Sequence, residues 1–243
     1  MMSASSETTR WRASGSYLPR LASKTSLLEE TRRFLLVYAR FGDIEASRRV
    51  LITEELPQRS RATRVTIVEN IQIRLTRWHP PAWVLGDLMA FAQVGQQAEL
   101  QAALLLHTAR QDALLYDIIQ QVVVPHWFAG ERELIRADIQ RFLDGAQTEH
   151  PEVAGWSHST REKLAGNVLS TLRDFGLLTG KASKQIVEPI APPRVVAHLV
   201  HLLQAEGMPP EQLAGHPDWH LWLWDTARAQ KAIDTCHLQE RVV

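Results

Sequence analysis

The chain has 243 residues, with 27 Lys+Arg, 27 Asp+Glu and 45% hydrophobic residues. That length fits one large domain or two small ones, and the apolar fraction excludes disorder throughout. The single cysteine, Cys236, excludes an internal disulfide and a cysteine-based zinc site, so a reduced, cytoplasmic setting is expected.

A membrane-spanning helix needs about 20 predominantly apolar residues. The best runs, AALLL at 102–106 and VVVP at 122–125, stop well short, so no membrane insertion is expected. The N-terminal MMSASSETTRWRASGS lacks the apolar stretch of a secretory signal and reads as a disordered tail over 1–16. The zero net charge hides an asymmetry. Residues 1–80 carry 14 Lys+Arg against 8 Asp+Glu, residues 81–155 carry 4 against 10, and residues 156–243 carry 9 of each. A basic head followed by an acidic middle suits a polyanion-facing surface, or two faces that attract each other or a partner.

The pattern along the chain is helical. Residues 25–42, TSLLEETRRFLLVYARFG, have apolar residues at helical spacing, with Ser26 or Thr25 as the cap, Glu29 and Glu30 in the first turn and Gly42 as the stop. A short helix over 43–54 ends before Pro57. The next helix spans 61–78. Val65, Val68, Ile71, Leu75 and Trp78 form its apolar stripe, and Asn70, Arg74 and Arg77 form a neighbouring row. Arg59 and Arg61 come at its start, and Arg64 lies nearer the apolar side, half-buried and facing an acid. His79-Pro80-Pro81 is the candidate linker between a basic domain, 17–80, and a second helical domain, 81–243.

The acidic middle predicts helices over 82–94 and 96–124, the latter ended or kinked by Pro125. A further helix covers 131–144 with Gly145 as its stop, followed by a loop over 146–155. Ser159-Thr160-Arg161-Glu162 has the spacing of a capping box. The helix behind it buries Leu164, Val168, Leu172 and Phe175, exposes Lys163, Asn167, Ser170 and Arg173, and stops at Gly176 with Leu177 behind. The period then changes. GLLT and KQIVEPI are short β-favouring pieces around Gly180-Lys181-Ala182-Ser183, so 131–190 reads as a winged-helix-like segment with Lys181 and Lys184 on the wing. A helix over 193–205 and the Trp-rich HPDWHLWLWDTARAQKAI complete the chain.

Five arginines and one glutamate fall within residues 56–78. A solvated helix face and a phosphate-binding surface both fit that composition. Arginine suits phosphate because its planar fork donates two parallel hydrogen bonds. Other constellations favour ordinary structure. His198/His201 and His216/His220 have metal-ligand spacing but no obvious third ligand. Trp219, Trp222 and Trp224 suit a core or a subunit interface better than a base-stacking platform. Asp112, Asp117 and Asp138 have no lysine at nuclease spacing, and Cys236 and His237 are neighbours that cannot face each other on a helix. No phosphate-loop, dinucleotide or serine-hydrolase motif occurs, so neither enzymatic activity, a cofactor nor a metal is expected.

Several stretches resemble the BrxA family of BREX bacteriophage-defence systems. They are SLLEET, LPQRSRATR, the Arg74-Leu75 pair in ENIQIRL, AALLLHTARQDALLYDIIQQVV, DIQRFLDG and WSHSTREKLAGNVLSTLRDFGLL, together spanning about Tyr17 to Leu203. Within the last, Trp156, Ser159-Thr160, Lys163-Leu164, Leu172 and Gly176-Leu177-Leu178 carry the most specific match. The resemblance implies a mainly α protein of two packed helical domains, DNA-binding and non-enzymatic, acting beside other BREX proteins. Some members carry the label "putative inner membrane protein", which the hydropathy of this chain opposes. On that basis Arg59, Arg61, Arg64, Arg74 and Arg77 would grip duplex phosphates, with Asn70 beside them among the DNA-binding residues. Arg161, Lys163 and Asn167 would lie against a groove, with Lys181 and Lys184 as wing contacts. Asparagine can read adenine and arginine guanine, but mainly backbone contacts are expected. The alternative is a protein–protein scaffold within the BREX assembly, without direct DNA contact.

Overall fold

The computed structural model describes residues 13, 15–23, 25–93 and 95–240, with side chains as far as Cys236. The tail assigned to 1–16 therefore lies almost wholly outside the described residues. Within them the protein is mainly α-helical, with one small antiparallel hairpin.

Helix α1 spans Leu28–Phe41 and ends at Gly42, whose φ of 65° gives the left-handed stop expected there. Its start differs from expectation. Leu27 caps it at φ 54°, and no side chain bonds the free amides. The Ser26 hydroxyl instead donates to Asp174, 2.7 Å away. Helix α2, Ile44–Val50, continues into a wider π turn, Leu51–Glu55, and stops before Pro57. Helix α3 spans Arg61–Leu75 and α4 Ala82–Phe91.

The helix expected over 96–124 is broken. Helix α5 covers Gln97–Arg110, and the Asp112 side chain then accepts from Leu115 N at 3.1 Å and caps a new helix, α6, Ala113–Ile118. This runs through a π turn, Ile119–Val123, into α7, Val124–Phe128. Pro125 does not end the helix. It sits in the first turn after the π turn, where the ladder is already shifted and its missing N–H costs little.

Helix α5 is the axis of the fold. Every residue from Ala102 to Arg110 is buried. A helix enclosed on all sides lies inside a protein, and α1, α3, α4, α6 and α10 pack around this one. The largest side chains sealed from solvent include Trp219, Trp222, Phe34, Phe91 and Phe175. The Trp-rich stretch is therefore core. Trp219 donates to the Leu213 carbonyl at 2.7 Å, and Trp222 to Ala102 of α5 at 3.4 Å.

Helix α8 spans Arg136–Gly145. Gly145 is helical, and a tighter turn, Ala146–Thr148, carries the chain on, so it is not the stop that was expected. A second such turn, Pro151–Gly155, follows within the expected loop. Helix α9, His158–Asp174, is capped by Ser157, whose hydroxyl accepts from Thr160 N at 3.2 Å. Ser159 lies inside the helix, and Glu162 accepts from Gln140 of α8, so the expected capping box does not form. The C-terminal end is as expected. Gly176 has φ 83°, and Leu177 N donates to Leu172 O at 2.9 Å.

Strands β1, Leu178–Thr179, and β2, Gln185–Ile186, form the hairpin. On the other edge of β2, Leu134 N donates to Lys184 O at 3.0 Å and Ile186 N to Arg132 O at 2.6 Å. The residues before α8 thus add a third short strand-like piece. Helix α10, Pro193–Ala205, coincides with its predicted range, and α11 spans Thr226–Glu240.

Candidate nucleic-acid interface

The predicted cations fall into three settings. Arg59 and Arg61 are exposed at the start of α3 and make no ion pair or hydrogen bond among the described residues. Arg77 is also exposed and has no ion pair among the described residues, but lies beyond the far end of α3. At 1.5 Å rise per residue that is roughly 20 Å from Arg61. Arg64 is half-buried between the two regimes. The acid expected beside it is not there, and its Nε has no partner.

Arg74 is not a surface residue. It is 7% exposed, and its guanidinium donates to the carbonyls of Thr25, at 2.8 Å, and of Ser26. Burial lowers its pKa to about 10, against the pull of Asp112 and with a push from Arg20, so it keeps its charge at neutral pH. Burial also raises the Asp112 carboxyl. Arg74 is a strut. It holds the two carbonyls that lead into the left-handed turn at Leu27, and it cannot reach a phosphate without unpacking. Asn70, in the same row, spends its amide on the Thr66 carbonyl at 2.8 Å.

The α9 face is similarly divided. Lys163 is exposed and has no partner among the described residues. Arg161 is paired with Asp144, and Arg173 with Asp174 at 3.0 Å. Asn167 donates to the carbonyls of Leu21 at 2.8 Å and Ala22 at 3.1 Å. A short turn, Arg20–Ala22, therefore crosses the middle of the α9 face that had been expected to meet a groove. The strap that contains it is fixed at both ends. Tyr17 stacks on His150 and donates its hydroxyl to Asp117 at 2.7 Å, and Ser26 bonds Asp174. Burial, then the Asp117 carboxylate, pushes the Tyr17 phenol far up, so it stays protonated. On the hairpin tip Lys181 is exposed, while Lys184 folds back onto the carbonyls of Gly180 and Lys181, each at 2.8 Å.

The remaining candidates have structural work. Asp112 caps α6, Asp117 receives Tyr17, and Asp138 receives Ile135 N. His198 bridges Asp87, at 2.7 Å, and His107, at 2.9 Å. Among the described residues no three His, Cys, Asp or Glu side chains gather to hold a metal ion, and no helix is long and apolar enough to cross a membrane.

The family model for BrxA matches residues 15–202, more than half of the chain. The chain belongs to the BrxA family. Membership carries a BREX-associated role. No curated protein matches the chain. An uncharacterized protein from Magnetospirillum magneticum, known from a crystal structure, matches with a TM-score of 0.63 at 21% identity, over 79% of this chain and 96% of that one. That likeness is one of fold. The BrxA match stops before the Trp-rich stretch, although Trp219 and Trp222 fill the same core as α5.

Proposed function

We propose that this BrxA-family chain is a non-enzymatic, DNA-binding accessory protein of a BREX-type phage-defence system, working in the cytoplasm on duplex DNA. Arg59, Arg61 and Arg77 on the basic head, together with Lys163 on α9 and Lys181 and Lys184 on the hairpin, hold phosphates. The observation that supports this is exposure without a partner: among the described residues Arg59, Arg61, Arg77 and Lys163 are exposed and meet no carboxylate, whereas Arg33 and Arg40 of the same head are paired with Glu29 and Glu55. Unpaired exposed arginines on a chain of zero net charge are what a polyanion surface needs.

A helix (113–128), a short strand-like piece (132–134), α8, α9 and a hairpin follow one another in the order of a winged helix, which supports the same reading. The strap across Asn167 bars the middle of α9 from a groove, so contact falls on the end of α9 near Lys163 and on the wing. The asparagines that could read adenine, Asn70 and Asn167, are engaged with backbone carbonyls, which leaves contact mainly to the backbone. Charge reversal of Arg59 and Arg61 together tests this. Binding to a labelled random duplex should fall by at least tenfold at low salt with folding unchanged. Retained affinity would remove the head from the interface.

A further inference from the structure

We propose that the groove between α10 and α11 is a docking site for an acidic amphipathic helix of another protein. The groove has a volume of about 580 Å³, and its apolar wall includes Ala191, Val196, Trp224, Ala227 and Ala232. That size is within the range of formed binding pockets. Among the described residues its charged lining is two cations, Arg228 and Lys231.

One wall is fixed in advance. Arg228 donates to Glu188 at 2.7 Å and lies 5.0 Å over the Trp224 ring, while the Trp224 indole donates to Glu188 at 3.3 Å. Arg228 is thereby paired with a carboxylate through both of its terminal nitrogens, which leaves Lys231 to set the sign of the groove. Lys231, one turn further along α11, is exposed and has no partner among the described residues. Ile190, next to Ala191 in the chain, is 75% exposed, the most exposed of the large apolar side chains described. The apolar surface thus continues past the mouth of the groove.

The two bounding helices have 13 and 15 residues, each about 20 Å long. A third helix of several turns can lie between them with apolar anchors at i, i+3, i+4 and i+7. The sign of the lining selects the flank of that helix. Residues 1–12 of this chain, with Arg10 and Arg12 against Glu7, have the wrong sign to fill it. This surface is separate from the basic head and does not depend on DNA binding.

The test uses two synthetic helical peptides with identical Leu/Ile anchors, one with a Glu polar face and one with a Lys polar face, titrated by fluorescence anisotropy into the full chain. The Glu peptide should bind saturably at one site, and the Lys peptide about twofold to fivefold more weakly, as one exposed charge pair provides. Lys231→Glu should reverse that order. Ala227→Trp, at an exposed lining position, should abolish binding with the melting temperature unchanged, and Arg59→Glu/Arg61→Glu should leave it intact. Equal binding of both peptides, binding of neither, or binding that survives Ala227→Trp overturns the proposal. So does self-association of the chain that Ala227→Trp removes, which would give the groove to a second copy.

Discussion

Nη1 of Arg110 donates to the Asp218 carboxylate at 2.7 Å, with the two side chains 1% and 0% exposed. The other arm of Arg110 donates to Glu206, and the Tyr116 hydroxyl donates to Asp218 at 3.1 Å. Arg110 ends the central helix α5. Glu206 and Asp218 both lie beyond residue 202, where the family match ends. The C-terminal segment is therefore tied by charge, as well as by its tryptophans, to the part of the chain that defines the family.

Removing Asp218 takes one of the two carboxylates from buried Arg110 and leaves Glu206 as the other. Asp218→Ala should destabilise the protein by about 1–3 kcal/mol, measured by chemical denaturation. Trp219→Ala should cost about 3–5 kcal/mol through the cavity it leaves. A chain cut after residue 202 should not fold cooperatively. A cut chain that melts like the full one would show the C-terminal segment to be an appendage.

Arg74 and the pair Arg59/Arg61 should separate stability from binding. Arg74→Ala leaves the Thr25 and Ser26 carbonyls without their donor and should lower stability by about 2–4 kcal/mol. At temperatures where the variant stays folded, its DNA affinity should be close to that of the parent. Arg59→Glu/Arg61→Glu should do the reverse, changing stability by less than about 0.5 kcal/mol. A duplex-binding titration beside a thermal melt for both variants checks this.

A chain of buried rings makes stability depend on pH. Asp87 accepts from His198 Nδ1, so while both rings are neutral His198 Nε2 accepts from His107 Nε2. Burial, then the neighbouring His198 and Arg110, hold the His107 pKa well below that of a free imidazole. The unfolded chain takes up that proton below about pH 6.5 while the folded one does not. Stability should therefore fall as the pH drops from about 6.5 to 5, by up to roughly 1.4 kcal/mol per pH unit. His107→Gln should flatten that slope in denaturation curves taken across the range. An unchanged slope would put the proton uptake elsewhere, with His220, also lowered by burial, the next candidate.

Much of the helical frame was legible because apolar periodicity and end signals agree. Gly42, Gly176 and the 193–205 range are the clearest instances. The mainly α fold class and the hairpin around Gly180 were also legible. What periodicity could not carry was the destination of individual polar groups. Arg74 and Arg77 are three residues apart in one row, yet one is interior and one exposed, because the carbonyls that receive Arg74 come from residues 25 and 26. The same non-local segment takes Asn167. Ser159 and Glu162 have the spacing of a capping box, yet Ser157 is the cap because Glu162 is drawn to Gln140. Asp112 before two leucines was an available cap signal for the break in 96–124. The π turns have no comparable sequence signature.

The wing should contribute less than the head. Lys181→Glu should weaken duplex binding and lower the salt slope by roughly 0.9, the amount for one phosphate contact. Lys184→Glu should do less to the slope, because Lys184 already donates to the carbonyls of Gly180 and Lys181. Equal losses at every DNA sequence tested would fit a backbone contact, and a loss confined to some sequences would mean that bases are read.

The central claim is that the unpaired arginines of the basic head meet phosphate. The most direct measurement is binding of the purified chain to a labelled random duplex across a salt series, beside the Arg59→Glu/Arg61→Glu variant. The expected result is a linear fall of log affinity with log salt, less steep in the variant by about 0.9 for each arginine lost. Absence of duplex binding at low salt, or identical slopes for the two proteins, would contradict it.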